Sequence, residues 1–433
     1  MASSHPIPSG AHIVTMRQDP GLVGHDFPTQ SPGSSFQLTV LPVLSEGGFG
    51  NKLADSGADV CPEKRTAEAP SNARIAAVLT VAILMGAVFG SVMELSKVTN
   101  PSSIRGQFLF EKFLMLKMFL AAAALSAFSF GVLSLVKPVA FEAARKEFLG
   151  CGNDKGVPAV ALGALLLGVG MALAGSCPGM VMIQIGSNVS NAWVTVLGGL
   201  SAALLYGALV PFAQGSIKKG SCKQAKAEDF SVLQAVAFHK LSLALAVFLA
   251  AGVAVLEIFF PWDKELPAGI APGRQALPPS AMGAVVGLLQ VPCVLVLGDT
   301  LGSSSAYMTL ASTPTSVSAA LASAAPQLAK FRSGLGNWWQ VVYLLGAAGG
   351  AALAAGVTNT MGAAVGVSPA DAFVGGFVMI LGSRLASGCT SGHGLSGFAL
   401  LAVHSIVAVP AMFAGGIATS FIYAAVDPRF RVV

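Results

Sequence analysis

Two long stretches of this chain carry no charge: Lys, Arg, Asp and Glu are absent from Gly156 to Ile217 and again from Leu385 to Val426. A bilayer crossing takes about 20 apolar residues. Each stretch is therefore long enough to cross twice. The composition agrees, with 10% charged and 54% hydrophobic residues in a chain of 433, where soluble domains carry about 25% charged residues. Fifty glycines and 24 prolines also fit lipid surroundings, where helices pack closely and tolerate local breaks. The expected fold class is all-α, a polytopic helical membrane protein.

The formal net charge is only +5, and the basic residues fall in short connecting segments, which argues against a nucleic-acid partner. Six cysteines, at 61, 151, 177, 222, 293 and 389, follow neither a CxxC spacing nor a disulfide frame. Cys177, Cys293 and Cys389 lie in apolar stretches.

Residues Met1 to Asn72 are rich in Ser, Pro, Gly and Asp and read as a disordered extension. Seven acidic residues against two Arg and two Lys in it argue against an Arg-rich transit peptide, and no n-region precedes an apolar h-region. Nine spans follow: Ala73 to Leu95, Leu114 to Val136, Val157 to Leu173, Ala192 to Ala213, Ala235 to Phe260, Ala281 to Leu297, Trp338 to Val357, Ala370 to Ala386 and Phe398 to Val426. Several are short for about 30 Å of hydrocarbon, which points to broken or re-entrant helices. Lys137, Arg145, Lys146 and Lys155 in one loop and Lys218, Lys219, Lys223 and Lys226 in the next on the same side place both loops, and the amino terminus, in the cytoplasm. A plasma membrane is the expected location.

The chain also repeats itself. Gly86-Ala-Val-Phe-Gly90 is echoed by Gly283-Ala-Val-Val-Gly287, Gly170 to Cys177 by Gly382 to Cys389, and Gly198-Gly199 before Tyr206 by Gly415-Gly416 before Tyr423. The offsets, 197 (283 − 86), 212 (389 − 177) and 217 (415 − 198), drift in one direction with the order kept. The expected organisation is an extension over 1–72, a first membrane repeat over 73–215, a polar linker over 216–234, a second repeat over 235–426 and a tail over 427–433. Transporters built this way hold substrate at mid-membrane between repeats; from glycines alone, an old duplication that keeps packing glycines and no site is the favoured reading.

The matched cysteines carry more chemistry. Cys177 lies in Ala-Gly-Ser176-Cys-Pro178-Gly and Cys389 in Ser-Gly388-Cys-Thr390-Ser391-Gly-His393-Gly. Each follows an apolar helix and is wrapped in residues that stop one, since proline removes a donor and glycine permits positive φ. A broken backbone at membrane depth is tolerated only where it is buried in protein or lines a cavity. Half-helix amino termini suit an anion, and a thiol is a weak, polarizable donor matched to a soft acceptor such as sulfur. The alternative is that each cysteine is a small buried hydrophobe.

Arg384 is isolated among apolar residues, and a central arginine costs at least about 2.5 kcal/mol. Its partner is either a substrate anion or, structurally, Asp371, Glu94 or backbone carbonyls. His393 either donates to an anion and shuttles protons or ties down backbone carbonyls. Cys293, after Pro292, approaches the centre without a counterpart in the first half. Gly302-Ser-Ser-Ser305 reads as the capped start of another half-helix.

At Gly382 to Gly397, GSRLASGCTSGHGLSG, and more weakly at Gly168 to Gly179, GVGMALAGSCPG, the chain resembles the YeeE/YedE family of sulfur-transport membrane proteins, over about Arg74 to Val426. The resemblance implies uptake of thiosulfate or a related small sulfur compound through an hourglass-shaped protein, with substrate passed between central thiols matched here by Cys177 and Cys389. It also implies a third cysteine six residues before an arginine near the end of the first span; counting back from Arg105 gives Thr99.

The expected function is a permease for a small inorganic sulfur-containing anion. Cys177, Cys389 and Cys293 give soft contacts, Arg384 gives positive potential, and Ser176, Pro178, Gly388, Thr390, Ser391 and His393 complete the expected substrate-binding set. No cofactor or metal is called for, no GxxxxGK[ST] motif is visible, and an enzyme is not expected. Membrane lipid and the anion are the expected partners, with a soluble sulfur-carrier protein as a further candidate. The competing readings are a membrane sulfurtransferase or thiol oxidoreductase with covalent cysteine chemistry, and a passive anion channel.

Overall fold

The computed structural model describes residues 71–152, 155–217, 236–427 and 430, all within the unit Ala54–Val433. The extension up to residue 70, and the linker with its four lysines, lie outside the described residues.

The first part of the described chain contains α1 (Asn72–Leu95), α2 (Pro101–Phe108), α3 (Leu114–Val136), α4 (Pro138–Gly152), α5 (Val157–Ala174), α6 (Met180–Gly186) and α7 (Ala192–Ile217). The second contains α8 (Phe238–Phe259), α9 (Pro279–Leu288) running on through α10 (Gln290–Pro292) into a π-helical stretch Cys293–Leu297, then α11 (Ser305–Ser312), α12 (Ala319–Ala324), α13 (Leu335–Val357), α14 (Pro369–Leu385), a second π-helical stretch Ser391–Gly397, and α15 (Val403–Val426). Among the described residues, eight helices are long and apolar enough to cross a membrane. The ninth expected span is α14, which has 17 residues because its chain breaks before Cys389. The last expected span starts later than Phe398: Leu401 turns left-handed, with φ +58, and α15 begins at Val403.

Side-chain caps start α2 and α14, whereas α6 and α11, the latter at the serine run after Gly302, begin without one. Asn100 Oδ1 accepts the Ser102 N–H at 3.0 Å ahead of Pro101, and Ser368 Oγ accepts the Asp371 N–H at 3.1 Å ahead of Pro369. A side-chain acceptor satisfies one of the donors a helix start leaves open, and proline there loses nothing.

Helix pairing in the two parts follows one pattern. In α1, Gly86 and Gly90 lie so close to the Tyr343 and Ala347 carbonyls of α13 that a Cβ would overlap them, and Gly283 and Gly287 of α9 stand in the same relation to Met118 and Ala122 of α3. Nearer the centre, α5 packs on α14 and α15, and α14 packs on α7. There Gly168 of α5 meets the Met412 carbonyl of α15, and Gly376 of α14 meets the Thr195 carbonyl of α7. The first member shifts by 208 (376 − 168), about one helical turn short of the 212 between the cysteines, and the second by 217 (412 − 195). Small residues at such crossings let backbones touch, which is how helices associate without a hydrophobic driving force between them.

Candidate functional site: two helix breaks and their thiols

The centre is built where α5 and α14 stop. Gly175 ends α5 in the left-handed region at φ +57, and a Cβ there would run into Pro101. Beyond the turn the Cys177 carbonyl accepts the N–H groups of Met180 and Val181 at 2.9 and 3.2 Å, starting α6. Cys177 is thus the hinge residue between two helices, buried, with Ser176 fully buried beside it. The Pro178 carbonyl accepts the Tyr307 hydroxyl at 3.0 Å. Proline leaves the break one donor short, and Tyr307, from α11, ties its carbonyl down.

The second break is made differently. Ser387 turns left-handed at φ +62, and the Cys389 carbonyl accepts the His393 N–H at 2.8 Å. Both ring nitrogens of His393 are engaged, Nε2 with the Ala386 carbonyl at 2.9 Å and Nδ1 with Ser405 Oγ at 3.0 Å. Gly388 makes room, since a Cβ there would press on that ring. Of the two roles weighed for His393, the geometry is that of a clamp on the backbone.

Cys389 is 1% exposed yet surrounded by polar atoms. The Ser303 N–H donates to its Sγ at 3.5 Å, Ser303 Oγ lies 3.4 Å away and Ser391 Oγ 3.2 Å away. Ser303 also faces the other break, because a Cβ on Gly179 would sit 3.1 Å from its Oγ. The Cys177 and Cys389 thiols lie within electrostatic reach of each other. Tyr343, stacked on Phe89 with centroids 5.5 Å apart, lies within the same reach of Cys177, Cys293 and Cys389. All three sulfurs are free thiols and buried.

Arg384 supplies positive charge beside this cluster. Its Nη2 donates to Ser304 Oγ and its carbonyl accepts the Lys155 ammonium. Its Nε is buried without a partner. Both carboxylates that could pair with it are used elsewhere: Glu94 pairs with Lys97 at 2.8 Å and Asp371 lies 3.9 Å from Arg105. Thr390 turns away from the thiols, its hydroxyl donating to Met171 Sδ at 3.2 Å and Met412 Sδ at 3.5 Å.

Thr99, where the family resemblance implies a third thiol, donates to Glu94 Oε2 at 2.7 Å within a closed network that includes Lys97 and Thr360. Cys293 lies in the π-helical continuation of α9 and is fully buried. The residues that sequence reasoning passed over are Ser303, read only as part of a cap, and Tyr307 and Tyr343. The hydroxyl-rich run at Gly302 was a usable signal for the first; the tyrosines sit singly in apolar helices and gave none.

A sequence model of the family described as sulphur transport matches residues 95–418, which takes in both breaks and every residue of the cluster except Phe89. The chain belongs to the sulphur-transport family. No individually curated protein matches it. With that membership and its apolar helices, this sulphur-transport protein is an integral multi-pass membrane protein and a sulfur-related transporter.

Proposed function

We propose that the protein moves a small sulfur-containing oxyanion, thiosulfate or a close relative, through a passage lined by Cys177 and Cys389. The observation that carries this reading is Ser303, which touches the Cys389 sulfur and abuts Gly179 of the opposite break. The two hinges therefore face one polar point. Such an anion has a soft sulfur end and a hard oxygen end. The thiols are soft, polarizable partners for the first; the Ser303 and Ser391 hydroxyls and the unpartnered Arg384 Nε suit the second.

The paired offsets of the glycine contacts support two duplicated units, 73–215 and 235–426, each giving one hinge. Irregular backbone at membrane depth belongs where it lines a route for substrate. Family membership supports transport over covalent turnover.

The test is complementation of a thiosulfate-requiring host, with uptake of labelled thiosulfate measured for the intact chain, Cys177→Ser and Cys389→Ser. Each variant is expected to lose most uptake at unchanged protein level. Normal uptake by both would overturn the reading.

A further inference from the structure

The two breaks are not equivalent in one respect. Gly199 of α7 lies against the ring of Tyr307, and Gly416 of α15 lies against the ring of Phe108; the two glycines are 217 residues apart (416 − 199), the offset found for the helices that carry them. Tyr307 and Phe108 thus hold matching places, each beside a break. The Tyr307 hydroxyl reaches the Pro178 carbonyl. Phe108 has no hydroxyl, and beside it is a cavity of about 10 Å³, which also borders Thr390. That is room for about one water molecule.

The walls of this cavity combine soft sulfur groups with two polar side chains. Three thioethers, Met115, Met171 and Met412, line it together with Gln107. Gln107 is 6% exposed, and its Oε1 is buried without a partner. Thr390, next to Cys389 in the chain, gives its proton only to two thioether sulfurs, which are weak acceptors. A buried amide left unpaired carries a desolvation cost that a ligand would relieve. Turning about its last side-chain bond, the same amide presents N–H groups in place of the oxygen.

We propose that this chamber, bounded by Gln107, Thr390 and the three methionines, is a second station for the transported sulfur anion, reached past Cys389. The proposal rests on the reading that a sulfur oxyanion passes Cys389. At 10 Å³ the chamber is too small for such an anion with the side chains as they stand, so the methionines must turn. Methionine is suited to that, being unbranched with three rotatable bonds. The soft sulfur of the anion then lies among thioethers and aromatic edges, while the Gln107 amide and the Thr390 hydroxyl donate to its oxygens. At the Cys177 break the Tyr307 hydroxyl is instead bound to the Pro178 carbonyl.

The protein itself provides the variant that tests this. Phe108→Tyr adds, on a residue that lines the chamber, the hydroxyl that Tyr307 already carries at the matching place. In proteoliposomes with labelled thiosulfate it is expected to cut the initial uptake rate at least tenfold, with an unchanged thermal midpoint in detergent. Gln107→Leu, similar in size, is expected to raise the KM for thiosulfate at least fivefold, and it decides alone if Phe108→Tyr does not fold. Normal rate and KM in both variants, with Cys389→Ser impaired, would overturn the chamber and leave the thiol passage standing. Normal uptake by both Cys177→Ser and Cys389→Ser would instead overturn the thiol reading, whatever the chamber variants do.

Discussion

Gly175 and Ser387 hold the same left-handed backbone conformation, φ +57 and +62, at places 212 residues apart (387 − 175). That is the offset separating Cys177 from Cys389, so each hinge cysteine follows the residue that turns its helix by two positions. Only one of the two is a glycine. An L side chain in this region costs about 1–2 kcal/mol, which Ser387 bears and Gly175 does not. Ser387→Gly is expected to leave uptake unchanged and to hold or raise the thermal midpoint. Gly175→Ala is expected to lower it, because its Cβ also meets Pro101. A thermal melt of the purified protein in detergent reads both.

Close backbone approach makes a second prediction about the matched units. Gly168→Ala drives a methyl group into the Met412 carbonyl, and Gly376→Ala does the same to Thr195. Overpacking of this kind costs typically about 1–3 kcal/mol. Both variants are expected to lose stability by amounts within about 1 kcal/mol of each other. A large loss in one with none in the other, measured by denaturant or heat, would break the equivalence of the two contacts.

Much of this architecture is legible in the residue types, because lipid leaves a chain few choices. Charge-free stretches announce spans, and Gly and Pro after an apolar run announce a break, so α5, α14 and the cysteines beyond them could be placed from residue types. What could not be read was which groups meet across the breaks. Ser303 precedes Cys389 by 86 residues in the chain, and no spacing rule links them. Arg384 was visible as a misplaced charge, but its use of Ser304 depends on where α11 starts. Phe108 and Tyr307 belong to short buried helices whose pairing with α15 and α7 is decided by packing alone, so the chamber beside Phe108 had no sequence signature.

His393 separates a clamp from a proton carrier. With Nε2 on the Ala386 carbonyl and Nδ1 on Ser405, its removal leaves a buried carbonyl and hydroxyl short of partners, at about 1–3 kcal/mol each. His393→Gln is expected to lower the thermal midpoint. Where the variant folds, the pH profile of thiosulfate uptake should keep its wild-type shape. A profile that flattens or shifts would mark the ring as a participant in proton movement.

The last prediction concerns the sulfur of Cys389 and its two serines. Ser303 contributes both a backbone N–H and a hydroxyl, at 3.5 and 3.4 Å, while Ser391 contributes a hydroxyl alone, at 3.2 Å. Ser303→Ala keeps the N–H and removes a hydroxyl that also touches Ser391, at 3.5 Å. Ser391→Ala removes one contact to sulfur and leaves both from Ser303. A hydrogen bond is worth about 1 kcal/mol net, roughly a fivefold change in an equilibrium constant. Each single variant is expected to raise the KM for thiosulfate about fivefold, and the double variant by more than either. Because Ser303 also borders Gly179, its variant should further weaken uptake in a Cys389→Ser background, whereas Ser391→Ala should add nothing there. Equal behaviour of the two serines in that background, measured as initial rates in proteoliposomes, would remove Ser303 from its place between the hinges.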